Sequence, residues 1–304
     1  MSLSQRYALK IANYQTSSSC LIVNADDFGK TQAVNQAIVE ASARGILTST
    51  TVMVNMPYAE EISGLISAFP KVGIGLHVNL TSGYPVLPPE SIWSLVDKTG
   101  HFWDIDEFLR RVWFGRIKRE HIRSEIDAQL SKLIKLVGKV THLDSHKHIH
   151  GRNLQVLDEM LQVGKAHGVI HMRTNRRYFV NSKSEQKSQL QLRLQHFAKS
   201  PLGIAALGLT TIQTLKFRRF QFISPDYVLT PFPSVPTASL DLSINMLTCV
   251  FKQTPTGVFE MIFHPGGGTK YDGQKELLCH PKIGEIIQEL NISLVNFGDL
   301  EARS

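Results

Sequence analysis

The chain has 304 residues, 42% apolar and 19% charged, enough to bury a full core in an ordinary globular protein. Lysine and arginine outnumber aspartate and glutamate 33 to 26, a formal net charge of +7. Three scattered cysteines, an N-terminus without a signal-like apolar run and no stretch of ~18 apolar residues argue against a disulfide scaffold, a secretory leader and a membrane span, and suit a reducing cytoplasm.

Residues 1–19 read as a polar extension ending in Ser17, Ser18 and Ser19. Residues 20–25 (CLIVNA) form a short apolar run, as expected of a strand buried on both faces. Apolar positions at Val34, Ala37, Ile38 and Ala41 predict a helix over 31–44, stopped by Gly45. A β-branched strand over 48–54 and a helix over 58–69, closed by Pro70, come next. The strand at 72–78 (VGIGLHV) carries glycines that imply close backbone approach. A long insertion at 81–104 is marked by Pro85, Pro88, Pro89 and Gly100. Helices over 105–114 and 117–137, a strand at 140–143, a helix over 154–167 and a strand at 169–173 continue the alternation. Residues 182–222 are mostly helical in pattern, and strands at 258–263 and 292–295 end the series. Such alternation implies a parallel sheet. The chemically loaded residues all follow strand ends, which favours an irregular, TIM-barrel-like (β/α) barrel of seven or eight mostly parallel strands, one domain from 20 to 304.

Basic residues cluster at Arg110, Arg111, Arg116, Lys118, Arg119 and Arg123, and again at Arg173, Arg176, Arg177, Lys183 and Lys187. These read as solvated helix faces and loops, and the aromatics beside them form no nucleic-acid module. The apolar stretch 201–220 ends in basic residues and fits either a buried barrel helix or a helix lying on a membrane surface. A peripheral membrane contact therefore stays open, and oligomeric state leaves no trace in the sequence.

Four clusters can carry chemistry. Asp26 and Asp27 sit together at the end of a buried strand, where two carboxylates are costly unless paired. Strand alternation would turn one inward and the other aside, so one can bind a cation while the other takes a proton from water. A lone Asp there would read as a helix N-cap. His77 ends the third predicted strand, and alone reads as a structural histidine. The tract 141–150 (THLDSHKHIH) places His142, Asp144, His146, His148 and His150 between a strand and a helix. Imidazole is the commonest side-chain metal ligand, and Asp144 is placed to orient the His146 ring. His264, before Pro265 and a glycine run, can donate a proton from another strand end. One carboxylate and two imidazoles leave a metal open positions for water and substrate.

In these stretches the chain resembles the YdjC-like carbohydrate deacetylases, which include chitooligosaccharide and hopanoid-biosynthesis deacetylases. The resemblance rests on LIVNADDFG, GILTSTTVMVN, VGIGLHVNL, THLDSHKHIH and, more loosely, FHPGG, spanning about 20–175 and 257–268. It implies a barrel-like fold and hydrolysis of the acetamide of an N-acetylated amino sugar, free or lipid-linked. It also implies one divalent ion, Mg²⁺ or Zn²⁺, on Asp27, His77 and His146, with Asp26 as general base and His264 as general acid. The chain departs from the pattern in about nineteen residues before the first strand and in 181–236, which matches no family motif. Two other readings fit the residues: a metal-dependent phosphoesterase, whose sites commonly hold two ions, and a non-catalytic sugar or lipid-headgroup binder that has kept the barrel.

Overall fold

The computed structural model describes residues 10–11, 19–179, 201–230, 240–268, 271 and 273–301. Its strands are β1 (Cys20–Phe28), β2 (Ser49–Val52), β3 (Gly73–Val78), β4 (His142–Ser145), β5 (Arg177–Phe179), β6 (Tyr227–Thr230), β7 (Val258–Phe263) and β8 (Ser293–Leu294). The helices longer than one turn are α1 (Gln32–Arg44), α2 (Ile62–Ala68), α3 (Ile105–Trp113), α4 (Arg119–Val137), α5 (Leu154–Ala166), α6 (Pro201–Phe220), α7 (Leu240–Gln253), α8 (Gln274–Cys279) and α9 (Pro281–Glu289).

Seven strands pair in the order β4-β3-β2-β1-β7-β6-β5, every pair parallel. Single parallel bridges, Leu143 to Met172 and His171 to Ile223, link the two ends of this order, so the sheet curls into an irregular barrel. The short β8 pairs with Cys20 and Leu21. All nine residues of β1 are buried, as a central parallel strand covered on both faces requires. A separate two-stranded ribbon joins Lys10–Ile11 to Leu300–Glu301.

Local chemistry explains the boundaries. Thr31 caps α1 by accepting a hydrogen bond from the Val34 N–H, freeing the chain to turn just after the two aspartates. Along α4, Ile122, Ile126, Leu130 and Leu133 are buried at helical spacing, and Glu125 and Gln129 lie on the same face. Those two polar groups secure the segment beyond β3. Glu125 accepts from the Val86 and Leu87 amides (2.8 and 3.1 Å), while Gln129 accepts from the Asn79 N–H and donates to its carbonyl. The close approach expected in VGIGLHV occurs at Gly75, where a Cβ would stand 2.5 Å from the His142 ring.

The predicted strands at 48–54, 72–78, 258–263 and 292–295 are all present. The strand expected at 140–143 begins two residues later, and 169–173 contributes only the bridging residues. The first turn of the helix expected over 58–69 is a 3-10 turn. The apolar stretch 201–220 is a helix that buries Gln213 and Phe217 and leaves Ile212 and Leu215 exposed. Among the described residues no helix is long and apolar enough to cross a membrane. Residues 1–9 and 12–18 of the polar extension, and 182–200 of the helical stretch, lie outside the described residues.

Candidate active site

The C-terminal ends of β1, β3, β4 and β7 converge, and they carry Asp26, Asp27, His77, His146 and His264. Strand alternation should have sent Asp26 and Asp27 to opposite sides. Instead Asp27 takes a left-handed backbone (φ 71°) at an irregularity in the β1–β2 register, and both carboxylates turn into the same buried pocket. A non-glycine residue held there stores on the order of 1 kcal/mol or more of strain, as is common at functional positions.

One oxygen of Asp27 faces two imidazoles: its Oδ1 lies 3.3 Å from His77 Nε2 and 3.0 Å from His146 Nδ1. The other, Oδ2, accepts from Lys30 Nζ at 2.7 Å. One donor atom from each of Asp27, His77 and His146 lies within 4.8 Å of the others, close enough to share a single ion. Behind His77, Nδ1 donates to Asp144 Oδ1 at 2.6 Å, which fixes the ring and aims Nε2 at Asp27. Burial alone would lower the His77 pKa, but Asp144, Asp26 and Asp27 outweigh it and lift the ring to about 10. The carboxylates around the ring favour positive charge there, which a cation can supply. Burial would raise the Asp27 carboxyl, but His146 and His77 hold it well below the ordinary range. The set fits a divalent ion that accepts imidazole nitrogen, with an oriented ring behind it.

Asp26 is held differently. Arg173, completely buried, clamps it with two hydrogen bonds, Nη1 to Oδ2 at 2.9 Å and Nη2 to Oδ1 at 2.7 Å. The same guanidinium reaches Asp144 Oδ2 at 2.8 Å, and its Nε donates to Glu260 Oε1 at 2.7 Å. Asn24 Nδ2 adds a bond to Asp26 Oδ1, and Thr51 Oγ1 donates to Asp144 Oδ2 at 3.1 Å. Burial would push the Asp26 carboxyl up, but Arg173, His77 and His264 hold it ionised, well below the carboxylate range. His264 Nε2 stands 3.7 Å from Asp26 Oδ2, its ring stacked on Tyr271 with centroids 4.5 Å apart. Burial lowers its pKa against the pull of Asp26.

Two expectations need correcting. Asp144 orients His77 rather than His146, because adjacent parallel strands bring His77 and Asp144 into direct register. Arg173 belongs to no solvated basic patch; it enters the barrel interior, where the Asp26 and Asp144 carboxylates offset its charge and Glu260 accepts a further hydrogen bond. Arg173 and Glu260 are the pieces that motif reading missed. Each was visible as a lone charge in an apolar strand-like run, VIHMR and VFEMIF. The rest of the histidine tract is dispersed. The His142 ring stacks on Phe297 at 3.8 Å, and His150 Nδ1 hydrogen-bonds Ser145 Oγ.

A parallel α/β barrel with paired carboxylates and imidazoles gathered at the C-terminal ends of its strands is the architecture of a barrel enzyme. The chain belongs to the YdjC-like protein family, whose sequence profile matches residues 20–289. A carbohydrate deacetylase of Enterococcus faecalis is 39% identical, over 93% of this chain and 99% of the relative. A carbohydrate deacetylase of Clostridium beijerinckii is 28% identical, over 92% and 99%. A chitooligosaccharide deacetylase of Enterobacter sp. is 37% identical over 43% of this chain and 50% of the relative. Among solved structures, a candidate cellobiose-phosphate cleavage protein from Enterococcus faecalis V583 superposes with a TM-score of 0.68 at 28% identity, covering 92% of this chain and 98% of that one.

Proposed function

We propose that the protein is a metal-dependent hydrolase that removes the N-acetyl group from an amino sugar, either an N-acetylated oligosaccharide or a lipid-linked N-acetylglucosamine. The observation that carries this reading is the division of labour between neighbouring carboxylates. Asp27 turns one oxygen to two imidazoles, while Asp26 is clamped by Arg173 and kept ionised beside them. Asp27, His77 and His146 would hold one divalent ion. The nitrogen-rich set favours Zn²⁺ or a similar ion, and Mg²⁺ is the alternative. Such an ion would supply Lewis-acid polarisation of the amide carbonyl and acidification of water.

The chain's own residues supply the rest. Asp26 takes a proton from the water that attacks the acetamide carbon, a role that needs an ionised carboxylate held in one orientation. Arg173 provides that orientation. Asp144 keeps the His77 ring turned toward Asp27. His264 passes a proton to the amine nitrogen as the C–N bond breaks, since an unprotonated amide anion would be too basic to leave. Acetate and a free amine result, with no acyl-enzyme. The names of the relatives support a carbohydrate substrate, and the cysteine usage supports a cytoplasmic setting.

The test is acetate release from a panel of N-acetylglucosamine, its oligomers and N-acetylglucosaminyl lipids, using protein reconstituted with Zn²⁺ or Mg²⁺. Metal-dependent acetate release is expected from at least one member. Acetate release that ignores chelation, or none from any substrate, would refute the proposal.

A further inference from the structure

The insertion after β3 leaves the same end of the sheet that carries the candidate site, two residues beyond His77. Asn79, one residue beyond the end of β3, donates from Nδ2 to the Ser82 carbonyl (2.8 Å) and to Asn55 Oδ1 (3.0 Å). Asn55, which follows β2, donates in turn to the carbonyls of Ser82 (3.1 Å) and Tyr84 (2.7 Å). Two buried or half-buried asparagines from adjacent strand ends thus fix the backbone at Tyr84, and β3 also carries His77. From the far side of the insertion, the Phe102 N–H binds the Gly83 carbonyl at 3.0 Å. That bond brings His101 under Tyr84, with ring centroids 3.9 Å apart.

Tyr84 is nevertheless 54% exposed. A tyrosine kept this open is not contributing core burial. Such a ring, backed on one face and open on the other, suits a partner that is apolar on one face and polar at its edge. A pyranose is such a group: its axial C–H bonds form an apolar face and its hydroxyls a polar rim.

We propose that Tyr84, backed by His101, is a stacking platform for a second pyranose ring, adjacent to the sugar whose amide is cleaved. The inference rests on the deacetylase reading above and deepens it: the preferred substrate is a saccharide of at least two rings. Asn55 and Asn79 act as positioning residues for the platform.

The experiment compares the metal-reconstituted full chain with Tyr84→Ala and Tyr84→Phe. Steady-state acetate release is measured on N-acetylglucosamine and its β-1,4-linked dimer and trimer, and trimer binding is measured by calorimetry. Tyr84→Ala should raise KM for dimer and trimer about tenfold, the size of one lost ring contact, with kcat and the monosaccharide reaction unchanged. Tyr84→Phe should stay close to the parent, since the ring face does the binding. Thermal melting of both variants should match the parent, because the side chain is exposed. An unaltered KM for the trimer, or an equal loss on monosaccharide and trimer, would overturn the platform. A parent protein that binds trimer through Tyr84 yet releases no acetate would refute the deacetylase reading and leave the platform standing. A parent that binds no trimer would overturn the platform itself.

Discussion

Glu260 offers a stringent test of the buried charge network. It lies on β7, completely buried, with Oε1 on Arg173 Nε and Oε2 without any partner among the described residues. Burial lifts its pKa from an ordinary 4.5 to about 8, against the attraction of Arg173 and with the help of Asp26 and Asp144. A group whose pKa is raised on folding binds protons more tightly in the folded protein. Its stabilising contribution is therefore complete below about 4.5 and is lost as pH rises through about 8. Across that gap, at ~1.4 kcal/mol per pH unit, the ceiling is roughly 5 kcal/mol. Glu260→Gln keeps the acceptor for Arg173 but cannot ionise. The variant should match the parent near pH 5 and gain on it steadily toward pH 9. With an unfolding entropy of about 2.1 cal/mol/K per residue, a gain of ~3 kcal/mol corresponds to about 5 °C in Tm for a chain of this length. Melting curves of both proteins from pH 5 to 9 decide the matter. Parallel Tm profiles, or a gap that widens toward acid, would show that Glu260 is an ordinary ionised partner of Arg173.

Other consequences are as direct. Asp26→Asn should cut kcat by about 10²–10⁴ while leaving bound metal stoichiometric, and turnover equal to the parent's would remove Asp26 from the proton-transfer role. His146→Ala should empty the site, with metal content by elemental analysis as the readout; full occupancy would contradict its place in the ligand set. Gly75→Ala drives a methyl to 2.5 Å from a His142 ring that already rests on Phe297, so the ring has nowhere to retreat. A loss of about 1–3 kcal/mol is expected on chemical denaturation, and an unchanged midpoint would refute the packing argument.

How far the sequence could be read depends on which interactions leave a periodic mark. β1, β3 and β7 were plain because a strand buried on both faces must be a short apolar run, whatever its neighbours. β5 and β6, with Arg177 and Thr230 in spans of three and four residues, carry no such mark, and their pairing comes from barrel closure rather than local preference. The convergence of Asp26, Asp27, His77, His146 and His264 was foreseeable because each lies at or just beyond the C-terminal end of a strand in a parallel fold. The register that joins His77 to Asp144 was not, since nothing in either segment states which residues will lie opposite. Arg173 misled for a related reason. Its charge suggested solvent, and only the three-dimensional meeting of Asp26, Asp144 and Glu260 makes its burial tolerable.

The left-handed turn at Asp27 has one last implication. In most barrels, groups with complementary tasks come from different strands, and their spacing depends on how those strands settle. Here the two carboxylates proposed for such tasks are consecutive links of one backbone, so covalent geometry ties their Cα positions together. Residues that disfavour that conformation, β-branched ones above all, should disturb both carboxylates together.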